Sequence, residues 1–197
     1  MRKLVLVVWL MIPVVAWAYH YGPGQDHMLL DEASTLIGRA ESHAAAEEYE
    51  QAAAAYEEVL TLLPGAMVGT AQRVRLERAK AQMLAKQLPE ARADLQSLLT
   101  DLTADQQADP KLTEEVRSTL ANSQYYMTWL MRLEGRSREE WEPEIEAARQ
   151  NYRLLAEKSQ DRGDSESLKQ RQEDLESTIR LARLDLKDLQ GLPLPSQ

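Results

Sequence analysis

The 197-residue chain contains no cysteine and no phenylalanine, and aromatic residues make up only 6% of it. Without thiols there are no disulfides and no sulfur ligands or nucleophiles, so stability has to come from side-chain packing. Positive charge is also short, with 23 Lys and Arg against 32 Asp and Glu, a net charge of −9. An acidic body repels phosphate backbones and anionic lipid, which excludes nucleic acid as the expected partner. Also missing are a Gly-x-Ser-x-Gly elbow, a glycine-rich phosphate loop and a His-Glu-x-x-His helix. Carboxylate pairs such as Glu139 with Glu140 and Glu144 with Glu146 do occur, but an acidic helical surface produces them without catalytic purpose. The expectation is therefore a protein that is not an enzyme and that needs no cofactor and no metal.

One long apolar run stands out, from Leu4 to Val15 behind Arg2 and Lys3, followed by Ala16-Trp17-Ala18. A cationic start, an apolar stretch too short to span a bilayer comfortably and small residues at the end outline an export signal over residues 1–18. The expected location is the periplasm or the extracellular space; if the segment stays uncleaved, it anchors the protein to the envelope. Cleavage removes Arg2 and Lys3 and takes the net charge from −9 to −11. The cut after Ala18 leaves His20 second in the mature chain, outside the third-position spacing that chelates copper in a plane. His27 and His43 fit surface or helix-packing positions, and no spacing resembles a closed zinc site.

Residues 19–30, with Tyr-Gly-Pro-Gly, read as a flexible leader. Beyond them apolar residues recur at three and four, and no strand pattern competes. The expected helices run over about 31–46, 48–63, 66–86, 89–102, 110–133, 137 or 142–160, and 165–189. Pro64-Gly65 ends the second, Pro89 suits a first turn, and Gly135 can close the fifth in the left-handed conformation. Ser137 and Glu140 have capping-box spacing, while Pro143 suggests a separate short turn there. Asp161-Arg-Gly-Asp164 breaks the chain before the last helix, and residues 191–197 form a tail that is not helical throughout.

The strongest internal signal is a shift of 39 residues. It superposes Ile37 on Leu76, Ala40 on Ala79, Ala44 on Met83, Tyr49 on Leu88, Ala52 on Ala91, Tyr56 on Leu95, Val59 on Leu98 and Leu60 on Leu99, every pair apolar or small. Two antiparallel helices cannot bury their stripes alone, so each hairpin offers a flank to the next. The order Tyr49, Ala52, Tyr56, Val59, Pro64 resembles the second helix of the tetratricopeptide repeat. Leu88, Ala91, Leu95 and Leu98 follow the same order with Thr103 in place of the proline, and Ile145, Ala148, Tyr152 and Leu155 follow it again after a first-helix-like Leu120–Tyr126. The spacing of 39 exceeds the family's 34, and the first helices keep only Leu36 and Ala40, then Arg75 and Ala79.

The resemblance implies an all-α fold of antiparallel hairpins stacked as a short solenoid over 31–190. Its units are about 31–64, 66–102 and 110–158, closed by a capping helix over 165–189 with Lys169, Arg171, Glu173 and Asp174 mostly outward. It also implies a groove, lined by the first helix of each pair, that holds a protein or peptide segment. A carboxylate clamp of Lys and Asn is not expected, since Ile37, Gly38, Glu41 and Ala45 stand at those positions. The partner-binding candidates are Tyr125, Tyr126, Trp129 and Arg132, residue types that anchor interfaces and that at helical spacing equally serve a core, as does Trp141. Arg73 and Arg78 join them from a basic cluster with Arg75 and Lys80, set against the acid-rich Glu47, Glu48, Glu50, Glu57 and Glu58. That cluster serves either as a solvated face supporting neighbouring helices or as a patch for an acidic partner. The alternative to a peptide-binding adaptor is a structural envelope module that self-associates through its stacked repeats.

Overall fold

The computed structural model describes residues 23–184, with side chains from residue 30. The signal segment, the first part of the leader and the tail lie outside these residues. All regular structure among the described residues is helical: α1 (Pro23–Ala45), α2 (Tyr49–Leu62), α3 (Val68–Leu84), α4 (Leu88–Ala104), α5 (Pro110–Leu133), α6 (Arg138–Asp161) and α7 (Ser165–Arg183). The chain divides within α3 into one unit ending at Val74 and a second beginning at Arg75.

In the first unit α1 packs against α2. The seam is built from Ala33, Ala40, Ala52, Ala53 and Ala55, with Leu36, Tyr56 and Val59 as its larger members. Small residues at such a contact let two backbones approach closely. α1 begins at Pro23, inside the segment expected to be a flexible leader. Proline fits a helix start, where its missing amide is harmless and its φ is already helical, and no breaker follows between Gln25 and Asp31.

In the second unit the helices stack in chain order. α4 packs on α5, α5 on α6 and α6 on α7, while Leu76 and Ala79 of α3 share a core with Ala91, Leu95 and Leu98 of α4 and with Leu112, Val116 and Leu120 of α5. A second core joins Ala121 and Tyr125 of α5, Trp141, Ile145, Ala148, Tyr152 and Leu155 of α6, and Leu181 of α7. Ion pairs fix the directions. Glu114 near the start of α5 meets Arg162 just beyond the end of α6 at 2.8 Å, so these two helices are antiparallel. Lys80 of α3 meets Glu115 of α5 at 2.7 Å, and Arg171 of α7 donates to Ser118 of α5 at 2.7 Å. With the groove contacts described below, these place α3, α5 and α7 side by side and parallel, the first-helix positions of a hairpin stack.

Four turns share one device. Glu47, Lys86, Gly135 and Gly163 adopt φ of 60°, 64°, 69° and 70°. In each case the next amide reaches back to a carbonyl five residues earlier: Glu48 to His43, Gln87 to Gln82, Arg136 to Met131 and Asp164 to Ser159, at 2.9 to 3.0 Å. This left-handed cap satisfies carbonyls that the helix end would leave bare. Glu47 and Lys86 are themselves 39 residues apart, so the turn repeats with the same period as the seam.

Two expectations are corrected. Pro143 does not begin or interrupt a helix: α6 runs unbroken from Arg138, with the Ser137 amide donating to the Glu140 carboxylate at 3.0 Å. The proline lies on an exposed side of the second turn, where the carbonyl that loses its amide donor can be solvated. On α7 only two of the four charges expected outward are so: Lys169 and Glu173 are exposed. Asp174 is buried and Arg171 half-buried, in line with Thr178 and Leu181 at helical spacing. Burial of Asp174 is tolerable because the Arg171 guanidinium stands 3.6 Å away.

Candidate functional site

α5 is amphipathic in an unusual way, because two of its faces meet apolar surroundings. Leu120, Ala121, Gln124, Tyr125 and Thr128 form the face turned into the cores, all buried. About 100° around the helix, Asn122, Tyr126, Trp129 and Leu130 follow one another at spacings of four, three and one. These line a groove of about 620 Å³ whose other wall is the end of α3 and the turn after it, Lys80, Met83, Leu84, Lys86 and Leu88. Leu84 and Leu130 keep 46% and 40% of their surface exposed there, high for residues of their kind. The groove thus lies between two first-helix positions of the stack.

Lys80 and Lys86 stand among these apolar residues. Lys80 is held by Glu77 at 2.9 Å and Glu115 at 2.7 Å; burial works against its charge, but these carboxylates outweigh it and raise its pKa above the ordinary lysine value. Lys86 is exposed and sits at the left-handed turn position. Beside the groove, and sharing Lys80, Thr119 and Asn122 with it, is a polar cleft of about 440 Å³ that continues to Lys111 and Arg171.

The aromatic candidates separate. Tyr126 and Trp129 line the groove while also packing, partly buried, against the α5–α6–α7 core, whereas Tyr125 is fully buried in that core and cannot reach a partner. Its ring meets that of Tyr126 edge-on, centroids 5.9 Å apart. Burial raises the pKa of its phenol, with the neighbouring Tyr126 adding to this, and its hydroxyl has no hydrogen-bond partner among the described residues. Trp141 is likewise buried, beneath the Arg132 guanidinium, which stacks 4.9 Å from its ring. Arg132 also donates to the carbonyls of Leu181 and Leu184, so it caps α7 in place of water.

The basic cluster is structural in large part. Arg75 binds Asp101 at 2.7 Å and Ser97 at 3.2 Å, and Arg78 binds Asp94 at 2.6 Å, all three partners lying on α4. Neither Arg78 nor Arg73 lines the groove; Arg73 is exposed. The groove residues Met83, Leu84, Leu88 and Leu130 were not among the partner-binding candidates, Met83 and Leu88 having been read only as seam positions of the repeat. Their signal was available: Tyr126-x-x-Trp129-Leu130-x-x-Leu133 is an apolar stripe offset from the core stripe of the same helix, and a helix with two such stripes has a second neighbour or a ligand.

Among the described residues, no group of three or more His, Asp or Glu is gathered as a metal site. His43 instead pairs with Glu48 at 2.6 Å across the turn. No helix in the described part is long and apolar enough to cross a membrane. Compared with known proteins, the chain matches no family model and no curated relative.

Proposed function

We propose that the protein is an exported, tetratricopeptide-like adaptor whose α3–α5 groove binds an apolar segment of another protein. The observation that carries this reading is the pairing of Tyr126 and Trp129 with exposed Leu84 and Leu130 in one concave site of about 620 Å³. Large apolar side chains left half in water are an uncompensated cost, which a partner segment removes. Tyr and Trp add contact area at little entropic cost, since each has few rotors to freeze. Support for a helical repeat comes from the 39-residue period, which recurs in buried seam positions and in the paired turns at Glu47 and Lys86.

The test uses the mature chain as bait for proteins of the compartment to which it is exported. Trp129→Ala with Tyr126→Ala is expected to lose a partner that wild type and Arg73→Ala both retain, while circular dichroism shows an unchanged fold. Equal capture by the double variant removes the groove as the binding site. Light scattering addresses the self-associating alternative: assembly that grows with concentration and disappears in the double variant favours it over an adaptor. Mass measurement of the exported chain checks the cut after Ala18.

A further inference from the structure

The groove does not stop where its apolar wall stops. Lys80, Thr119 and Asn122 belong to it and to the polar cleft beside it, so the two cavities form one surface along α5, all of it within the second unit. The surface is zoned. The first half of α5 supplies the cleft through Lys111, Ser118 and Asn122, and the second half supplies the groove through Tyr126, Trp129 and Leu130. Lys111 and Leu130 are about 28 Å apart along the helix axis, a span that an extended segment of about nine residues covers.

The sign of this surface is opposite to that of the chain. Lys80, Lys86, Lys111 and Arg171 line it against Glu114 and Glu115, whereas the whole chain carries −9. Adding the charges paired with these groups does not change the balance, because Glu77 and Asp174 are matched by Lys158 and Arg162, both of which stand on Glu114. An excess of positive charge in a cleft of an acidic protein selects carboxylates and discriminates against basic segments.

The polar groups of the cleft are also held from behind. Arg171 donates to Ser118 at 2.7 Å and stands 3.6 Å from the buried Asp174, and a guanidinium has five donors, more than these two partners use. Asn122 accepts from the buried Tyr152 hydroxyl, and Lys80 lies between Glu77 and Glu115. Side chains fixed in this way lose little freedom when a ligand arrives.

We infer that the occupant of the groove is a partner segment of mixed chemistry: large apolar residues seat against Tyr126, Trp129, Leu84 and Leu130, and one or more carboxylates seat in the cleft among Lys80, Lys111 and Arg171. This rests on the groove being a partner site. The apolar part supplies most of the affinity, and the acidic part fixes the register, with its carboxylates toward the start of α5. The opposite register would strip water from a carboxylate against Trp129 without giving it a partner.

The probe is a library of random peptides of about twelve residues, longer than the surface, displayed on phage and selected on the immobilised mature chain. Selected peptides are expected to combine Leu, Ile, Phe or Trp with a cluster of Asp or Glu. Lys111 is exposed, so Lys111→Glu keeps the fold; it should bind the best of these peptides about tenfold more weakly, and selection on it should lose the acidic enrichment. Arg153→Glu, an equal charge change at an exposed site on α6 that lines neither cavity, should bind them as wild type does. Peptides that need Trp129 and Tyr126 but show no acidic enrichment, or whose affinity ignores Lys111→Glu, overturn this inference and leave the groove standing. Peptides indifferent to Trp129→Ala with Tyr126→Ala, or no selected peptide at all, overturn both. Concentration-dependent assembly of the chain that Lys111→Glu dissolves overturns the partner segment in favour of an acidic face of a second copy.

Discussion

The α1–α2 hairpin and the α5–α6 hairpin are closed by the same left-handed turn and filled by different material. In the first, alanines at 33, 40, 52, 53 and 55 form most of the buried seam. In the second, Tyr125, Tyr152, Trp141, Ile145 and Leu155 do, and polar pins cross between helices: Tyr152 donates to Asn122, Arg117 to Asn151 at 3.0 Å, and Asn151 to Gln124 at 3.1 Å. Alanine gains little area per residue but lets helices approach; an aromatic buries about 150 to 250 Å² and requires its polar atoms to find partners. A hairpin of the second kind is heavier in the core and more exacting in its polar geometry. It is also the one whose first helix has apolar surface left over for the groove.

Truncation should expose this difference most strongly. Tyr152→Ala removes a fully buried ring and is expected to cost about 3 to 5 kcal/mol, read from the denaturant midpoint. Val59→Ala in the alanine seam, equally buried, should cost about 2 kcal/mol, because two methyl groups are lost. Equal costs would mean that the two hairpins are filled alike in energetic terms.

Alkaline pH tests the same ring without cutting it. Burial, with Asp174 adding to it, pushes the Tyr152 phenol far above its ordinary value of 10.0. A raised folded pKa gives stability that is whole below the unfolded value and lost as pH rises from there, since only the unfolded chain ionises. Stability should therefore fall above about pH 10, and Tyr152→Phe should flatten that slope at the cost of the bond to Asn122.

The two tyrosines should differ in sign when each becomes phenylalanine. Tyr152→Phe removes the hydrogen bond to Asn122 and should cost about 1 to 2 kcal/mol, whereas Tyr125→Phe removes a buried hydroxyl without a partner and should be neutral or stabilising by about 1 kcal/mol. Thermal midpoints of the two single variants decide this.

Effects of similar size lie in the turns. Gly135→Ala meets no atom within 4 Å, so its cost is conformational alone, about 1 to 2 kcal/mol. Glu47→Gly and Lys86→Gly should gain up to about 1 kcal/mol, since a side chain at positive φ is strained there. Hydrogen exchange at the following amides, Glu48 and Gln87, would register the gain locally.

Much of this was legible in the chain. All eight position pairs of the 39-residue shift are buried or half-buried, Ala40 with Ala79 and Ala52 with Ala91 completely so. α5 runs from Pro110 to Leu133 as its pattern predicts, because the Asp109 side chain accepts from the Lys111 amide at 2.9 Å, a local cap written in the sequence. What periodicity could not separate was Tyr125 from Tyr126. One position turns a side chain by about 100°, and only the arrival of α3 on one side and α6 on the other decides which ring is core and which is groove. The carbonyl contacts of Arg132 were illegible for a related reason: they reach the end of α7, some fifty residues away, and carbonyls carry no sequence signal. Asp174 reads as a solvated charge until Arg171, which itself donates to Ser118, is seen beside it.

Helix content, the period of the repeat, its alanine seams and its capped starts follow from the sequence alone, because each depends on residues within a few turns of one another. The groove, the fully buried Tyr125, the carbonyl-capping role of Arg132 and the buried carboxylate of Asp174 were decided by tertiary structure. Each of them depends on which helix arrives beside which, a choice made by the summed burial of many side chains and recorded at no single position in the chain.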